Sequence, residues 1–199
     1  MKGLALLIAL AVIAAACGST AAAPSASPTR LATAIRTAPP TPPPAPPACV
    51  VKPVTFVKTP SKAVITLVKG GTITIALRPD KAPKTVTNFA NVALSGCYDG
   101  LTFHRVVANF VAQGGDPLGT GTGGGDQPTE LSDLPFTKGA LGVARASDIK
   151  ISNDRQFFIC TGECLNLNNQ YTNFGQVISG QDVADKIAIG DKIKTITVE

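Results

Sequence analysis

The chain reads as a mainly β domain, a barrel or a sandwich carrying two helices, set behind an exported-protein leader and a Pro-rich stalk. Three observations predict this. Past about residue 60 the sequence breaks into short apolar runs separated by Gly-rich turns. Only two stretches there place apolar residues at helical spacing. Before residue 60 neither pattern occurs, and most of the chain's 16 prolines lie between Pro24 and Pro60.

Met1-Lys2-Gly3 gives a positive start, and Leu4 to Ala16 then runs without a polar side chain. That run is well short of the roughly 20 residues a membrane-spanning helix needs. A charged start, a short apolar run and small residues at its end describe a secretory signal over residues 1–16. Ala14-Ala15-Ala16-Cys17 resembles the lipobox of bacterial lipoproteins, although that family usually has Leu where Ala14 stands. The resemblance implies a lipidated Cys17 and anchorage to the membrane outside the cytoplasm; an ordinary secretory signal and a secreted protein are the alternative. Residues 17–60 read as a linker, because "APPTPPPAPPA" favours extended polyproline II and cannot bury enough apolar surface to offset its ordering entropy.

Residues 61–199 suffice for one domain with a single core. All 13 acidic residues follow Cys49, as do all the basic ones except Lys2, Arg30 and Arg36. The domain is therefore nearly balanced in charge despite a pI near 9.0. Its basic residues form no run or aromatic-interleaved stripe, which argues against a nucleic-acid partner.

"AVITLV" and "TITIAL" are β-branched runs joined by Lys69-Gly70-Gly71, a hairpin signal. In "APKTVTNFANVALSG" the residues Val86, Phe89, Ala90, Ala93 and Leu94 form one helix face, with Pro83 suited to the first turn and Gly96 to the stop. Strand-like runs follow: "LTFHRVV", "FVAQ", "GALGVA", "QFFICT", "FGQVI" and "KTITVE". Ahead of the last, "GQDVADKIAIG" holds Val183 and Ile187 at helical spacing and ends at Gly190.

The chemistry concentrates in "LTFHRVVANFVAQGGDPLGTGTGGG", residues 101–125. A phosphate loop would need its glycines to open a helix, but Pro128 and Pro135 follow with no periodic apolar face, so the glycines read as a flexible surface loop. His104 is the chain's one histidine, which leaves no zinc cluster, and no GxSxG turn supplies a nucleophile for it. It reads as a hydrogen-bonded structural residue. Arg105 remains, beside apolar residues, where a guanidinium fork could meet a polarised carbonyl.

"FHRVVANFVAQGGDPLGTGTGGG" resembles, without a gap, the signature segment of the cyclophilins, the peptidyl-prolyl cis-trans isomerases. "APKTVTNFANVALSGCYDG", "QFFICT" and "YTNFGQVISGQDVADKI" extend the likeness in the family's order over about Val64 to Glu199. The resemblance implies a closed eight-stranded barrel capped by two α-helices, with the site on its outer face and no cofactor. It makes Arg105 the catalytic arginine and Gln113 the amide that orients it. Phe110, Val111, Phe158 and Leu167 would wall a proline pocket, and Ala144, Arg145 and Gln156 would line the groove for the peptide backbone. Three positions depart from the family: Tyr171 stands for a groove His, Asn166 for a Trp, and Arg145 for a small polar Asn. Arg145 is either a selector for acidic residues near the proline or a solvated surface arginine.

The implied partners are proline-containing peptides and unfolded exported proteins, met by a monomer; a non-catalytic peptide-binding or chaperone module on the same fold is the alternative. Cys49, Cys97, Cys160 and Cys164 form an even set for which disulfides are permitted in an exported chain. Of three pairings, Cys49 with Cys97 and Cys160 with Cys164 is favoured, against a reduced Cys160 in the core of its strand.

Overall fold

A computed structural model of the chain describes residues 48–199. The expected signal peptide 1–16, Cys17 and the expected linker up to residue 47 lie outside the described residues.

The first hairpin joins β1 (Lys62–Leu67) to β2 (Thr72–Leu77). It turns through Gly70 and Gly71 at φ +96° and +91°, a backbone that L side chains rarely adopt. Every second residue points inward, so Ala63, Ile65 and Leu67 face the core with Ile73, Ile75 and Leu77. Helix α1 (Pro83–Leu94) starts on its proline and buries Val86, Phe89, Ala90, Val92 and Ala93; Leu94, expected on the buried face, is half exposed at its end. Phe89 meets Tyr98, Phe157 and Phe174 at centroid distances of 5.3 to 5.7 Å, which makes an aromatic centre for the core.

The remaining elements are β3 (Phe103–Val107), β4 (Val111–Gly114), β5 (Asp126–Pro128), β6 (Ala140–Val143), β7 (Ile151–Asn153), β8 (Phe157–Cys160), β9 (Asn173–Ser179), α2 (Gln181–Ala184) and β10 (Ile193–Val198). Eight strands form one curled antiparallel sheet in the order β10-β1-β2-β9-β6-β8-β4-β3. The expected barrel does not close along a ladder. Its edge strands meet through a single bridge, Thr102 with Lys192, supported by bonds such as Phe103 N–H to Asp191 O. Strands β5 and β7 pair separately, β5 directly after the Gly-rich stretch read as a flexible surface loop. That stretch is tied down: buried Asp116 accepts from the amides of Leu118, Thr120 and Gly121, and Asn153 Nδ2 donates to Gly123 O.

Helix α2 is shorter than the spacing of Val183 and Ile187 suggests. After one α-turn its bonds tighten, with Lys186 N–H to Val183 O and Ile187 N–H to Ala184 O, yet Ile187 still reaches the core.

Strand β8 separates the two apolar clusters of the domain. Phe157 and Ile159 point into the main core, whereas Phe158 and Cys160 join Val111, Phe136, Ala140, Ala144, Cys164 and Leu167 in a second cluster. Cys160 and Cys164 are both buried free thiols, so their expected pairing is not formed. Cys164 Sγ instead lies 3.1 Å from Phe110 O, and burial pushes both thiols up, keeping them protonated near neutrality.

Two contacts hold α1 from outside itself. Ala82, at its N-cap, offers no side-chain oxygen; Glu130 caps it from a distant loop, accepting from Lys84 N at 3.1 Å and Thr85 N at 2.7 Å. Glu130→Ala should lower stability by about 1 kcal/mol, or roughly 2 to 4 °C in the thermal midpoint followed by circular dichroism. At the other end the Cys49–Cys97 disulfide fastens the end of the linker, and Lys52 N and Val54 N donate to Ser95 Oγ and Asn91 Oδ1, each at 2.9 Å. Val51 packs against the core.

Candidate active site

The β3–β4 connection is a tight turn in which Asn109 takes φ 56°, a left-handed conformation that Asn tolerates. The turn sets the register in which Arg105 on β3 lies opposite Gln113 on β4, and Gln113 in turn lies opposite Phe158 on β8. Three neighbouring strands thus present a cation, an amide and an aromatic ring side by side.

Nine of the residues named from the sequence line one pocket of about 280 Å3: Arg105, Phe110, Val111, Gln113, Ala144, Arg145, Phe158, Leu167 and Tyr171. Phe158 stacks on Phe136 at 5.7 Å and meets Tyr171 edge-on at 5.9 Å, so the apolar wall is itself held in place. Gln156 does not line this pocket. It sits behind Gln113, in a line of amides that runs away from the arginine.

The direction of that line is fixed by its far end. Gly123 O can only accept, so Gln156 must turn its Nε2 toward it, at 2.8 Å. Gln156 Oε1 then accepts from Gln113 Nε2 at 2.9 Å, which leaves Gln113 Oε1 facing Arg105 Nη1 at 3.4 Å. The guanidinium is exposed and is steadied along one edge, with its other donors open to the pocket.

Sequence reasoning missed three contributors. Asn153 Oδ1 accepts from the amides of Arg155 and Gln156 while its Nδ2 shares Gly123 O, so it holds both ends of the turn behind the amide line. Asp116 anchors the loop bearing Gly123. Gly142, on β6, lies opposite Phe158, and a Cβ there would come closer than 3.0 Å to both the Phe158 and the Phe136 rings. Only glycine leaves room for both rings. Gly142, and Asn153 through Gly123, act on residues that the fold brings from elsewhere, whereas Asp116 binds amides two to five residues on, a local turn signal that the reading of this stretch as a flexible loop passed over.

Arg145 lines the groove, as expected, and is not a freely solvated surface arginine. Its Nε donates to Gln170 O at 2.9 Å and its Nη1 to Ala146 O and Ser147 O, while the guanidinium carbon sits 4.4 Å from the Tyr171 ring centroid. It clamps the groove wall rather than standing free in solvent.

His104 lies beside Arg105 on β3, and both ring nitrogens are buried without a hydrogen-bond partner, contrary to the expected hydrogen-bonded residue. Burial lowers its pKa; Asp116 opposes the shift and Arg105 adds to it. A histidine whose folded pKa lies below its unfolded value of about 6.5 favours the fold above that pH, and this stability is lost as pH falls through and below it. His104 is the one histidine in the chain. Urea unfolding between about pH 7.5 and pH 5.5 should therefore show stability falling with acidity, and His104→Gln should flatten the slope.

Residues 63–198 match the family model for "Cyclophilin type peptidyl-prolyl cis-trans isomerase/CLD". The chain belongs to this family. Peptidyl-prolyl cis-trans isomerase B of Bacillus subtilis is 44% identical over 134 residues, which span 65% of this chain and 92% of that protein. A probable peptidyl-prolyl cis-trans isomerase of Brucella suis is 38% identical over 154 residues, 70% of this chain and 78% of that one. Among solved structures, a Cryptosporidium parvum cyclophilin crystallised in the presence of the dipeptide Ala-Pro matches with a TM-score of 0.64 and 29% identity, over 69% of this chain and 98% of that one. This cyclophilin is a peptidyl-prolyl cis-trans isomerase, and the curled sheet with two helices is its family's fold.

Proposed function

We propose that this isomerase turns Xaa-Pro bonds of exported proteins outside the cytoplasm, with Arg105 as its catalytic residue and Gln113 as the group that orients it. The reading is carried by the amide line from Gly123 through Gln156 and Gln113, which ends on an arginine at the rim of an apolar pocket. Phe110, Val111, Phe158 and Leu167 offer apolar walls to a pyrrolidine ring, and Ala144, Gln156 and the clamped Arg145 and Tyr171 border the path of the peptide.

Rotation of an Xaa-Pro bond crosses a barrier of about 18 to 20 kcal/mol because it breaks amide resonance. At the twisted geometry the proline nitrogen becomes pyramidal and regains a lone pair, which a guanidinium N–H can meet. In either planar isomer that lone pair is delocalised and accepts poorly. A donor fixed at Arg105 therefore stabilises the twisted state more than either end state, and no proton transfer or covalent step is needed.

Export is supported by the signal-like leader 1–16 and by the Cys49–Cys97 disulfide, a bond favoured in oxidising compartments. In this reading residues 17–60 carry the domain 61–199 away from a lipidated Cys17, with the last part of the linker strapped to α1. The domain acts as a monomer on proline-containing segments of unfolded clients, without a cofactor. Mass spectrometry of the native chain tests the anchor: a diacyl or triacyl Cys17 at the mature N-terminus is expected, and an unmodified terminus contradicts it. Isomerase activity of the same preparation on an Ala-Pro peptide tests the reaction.

A further inference from the structure

Past the Cys49–Cys97 bond the chain runs as a strap along the C-terminal half of α1, with Lys52 N bonded to Ser95 Oγ and Val54 N to Asn91 Oδ1. Val51 packs against the core and Phe56 is half-buried. The side chains turned outward are mostly apolar. Val57 is fully exposed, Val50 by about three-quarters and Val54 by a little under half; Leu94, on α1 between the two residues that hold the strap, is half exposed. Interleaved with them are Lys52 and Lys58, both exposed and without an ion pair among the described residues. No acid occurs from Cys49 to Pro79 or in α1, and Asp99, two residues past Cys97, is the exposed carboxylate nearest the disulfide in sequence. Residues 1–47 join the domain at this surface, since the described chain starts at Ala48. The strap shares no residue with the proline pocket.

We infer that the strap is a docking face for an anionic lipid bilayer, on which the valines and Leu94 enter the headgroup region while Lys52 and Lys58 meet lipid phosphates. The inference rests on the reading of an exported, anchored chain and adds an orientation to it. A lipid on Cys17 would set how far the domain can stand from the bilayer; the strap sets which side faces it. Water-exposed aliphatic side chains gain by entering the interface, and the long stem of a lysine keeps its ammonium at headgroup level. With two lysines and no facing carboxylate in the strap itself, the charge favours an anionic surface over a neutral one, by about fivefold in partition for each lysine, and the attraction falls with salt.

The chain has no tryptophan, so a single one reports its own surroundings. Val57→Trp places it on the strap, and Ile178→Trp, at an exposed position of β9, is the control. Each full chain is mixed with vesicles of phosphatidylcholine alone or of phosphatidylcholine with phosphatidylglycerol. In the anionic vesicles the strap tryptophan should shift its emission to the blue and be quenched by brominated lipid; in the neutral ones it should respond far less, and the β9 tryptophan should stay as in water. Lys52→Ala and Lys58→Ala in the Val57→Trp chain should each weaken partition about fivefold, while kcat/KM on an Ala-Pro peptide stays unchanged and so reports an intact fold. A strap tryptophan that stays in water, an equal shift in neutral vesicles or at both positions, or a partition indifferent to both lysines overturns the inference. So does a shift that needs no lipid and grows with protein concentration, which would make the face a contact between copies of the chain. An acylated Cys17 with a water-exposed strap tryptophan contradicts the docking face alone, whereas an unmodified terminus with a lipid-buried strap tryptophan contradicts the anchor alone.

Discussion

Arg105→Ala should lower kcat/KM for an Ala-Pro peptide by about 100- to 1000-fold, the usual cost of removing one preorganised donor to a developing charge. Arg105→Lys should recover little of it. An ammonium is a point charge on a flexible stem and cannot hold one edge against Gln113 Oε1 while presenting another to the substrate, as the planar fork does. Arg105 is exposed and lies outside both apolar clusters, so neither substitution should unfold the domain; circular dichroism of each variant checks this.

Reduction of the Cys49–Cys97 disulfide, or Cys49→Ser, should bring the largest loss of stability. The bond spans a separation of 48 residues, and closing a loop of that length restricts the unfolded chain by about 4 kcal/mol. For a domain of this size that is roughly 8 to 16 °C in the thermal midpoint. The strap binds the C-terminal part of α1 and touches none of the pocket residues, so isomerisation well below the midpoint should be unaffected. Alkylation of the unfolded, unreduced chain should label Cys160 and Cys164 and spare Cys49 and Cys97. A midpoint that reduction leaves unchanged would contradict this.

The parts of the fold legible in the sequence are those whose signal is local. Strands β1 and β2 alternate because one face meets the core, and α1 shows its face, its proline start and its glycine stop within one window. Strands β6 and β8 are buried on both faces and so appear as plain apolar runs. Asp126-Gln127-Pro128 and Ile151-Ser152-Asn153 have no periodicity at all; β5 and β7 exist because Asn153, Asp154 and Asp116 bind backbone across the loop. Sheet closure is equally non-local, since it rests on how two distant edges meet at Thr102 and Lys192.

The same division runs through the site. The pocket residues were named through contiguous motifs of the family resemblance, and nine of them line one pocket. What no motif carried is the support: the carbonyl of Gly123 that orders two glutamines, the absence of a side chain at Gly142 beneath two rings, and the carbonyls that capture Arg145. The free thiols follow the same logic. Evenness of number favoured a Cys160–Cys164 bond, but both side chains fill apolar space next to the pocket and remain two free thiols.

The claim that Arg105 stabilises the twisted state, rather than merely holding the peptide, is tested most directly by NMR exchange on an Ala-Pro peptide with wild-type and Arg105→Ala protein, analysed for binding and for the on-enzyme isomerisation rate separately. The folded wild type should speed exchange far beyond the uncatalysed time of tens to hundreds of seconds, and Arg105→Ala should lose about 100- to 1000-fold in kcat with KM little changed. A folded Arg105→Ala protein that keeps more than about a third of wild-type kcat, or that loses only affinity, would contradict it.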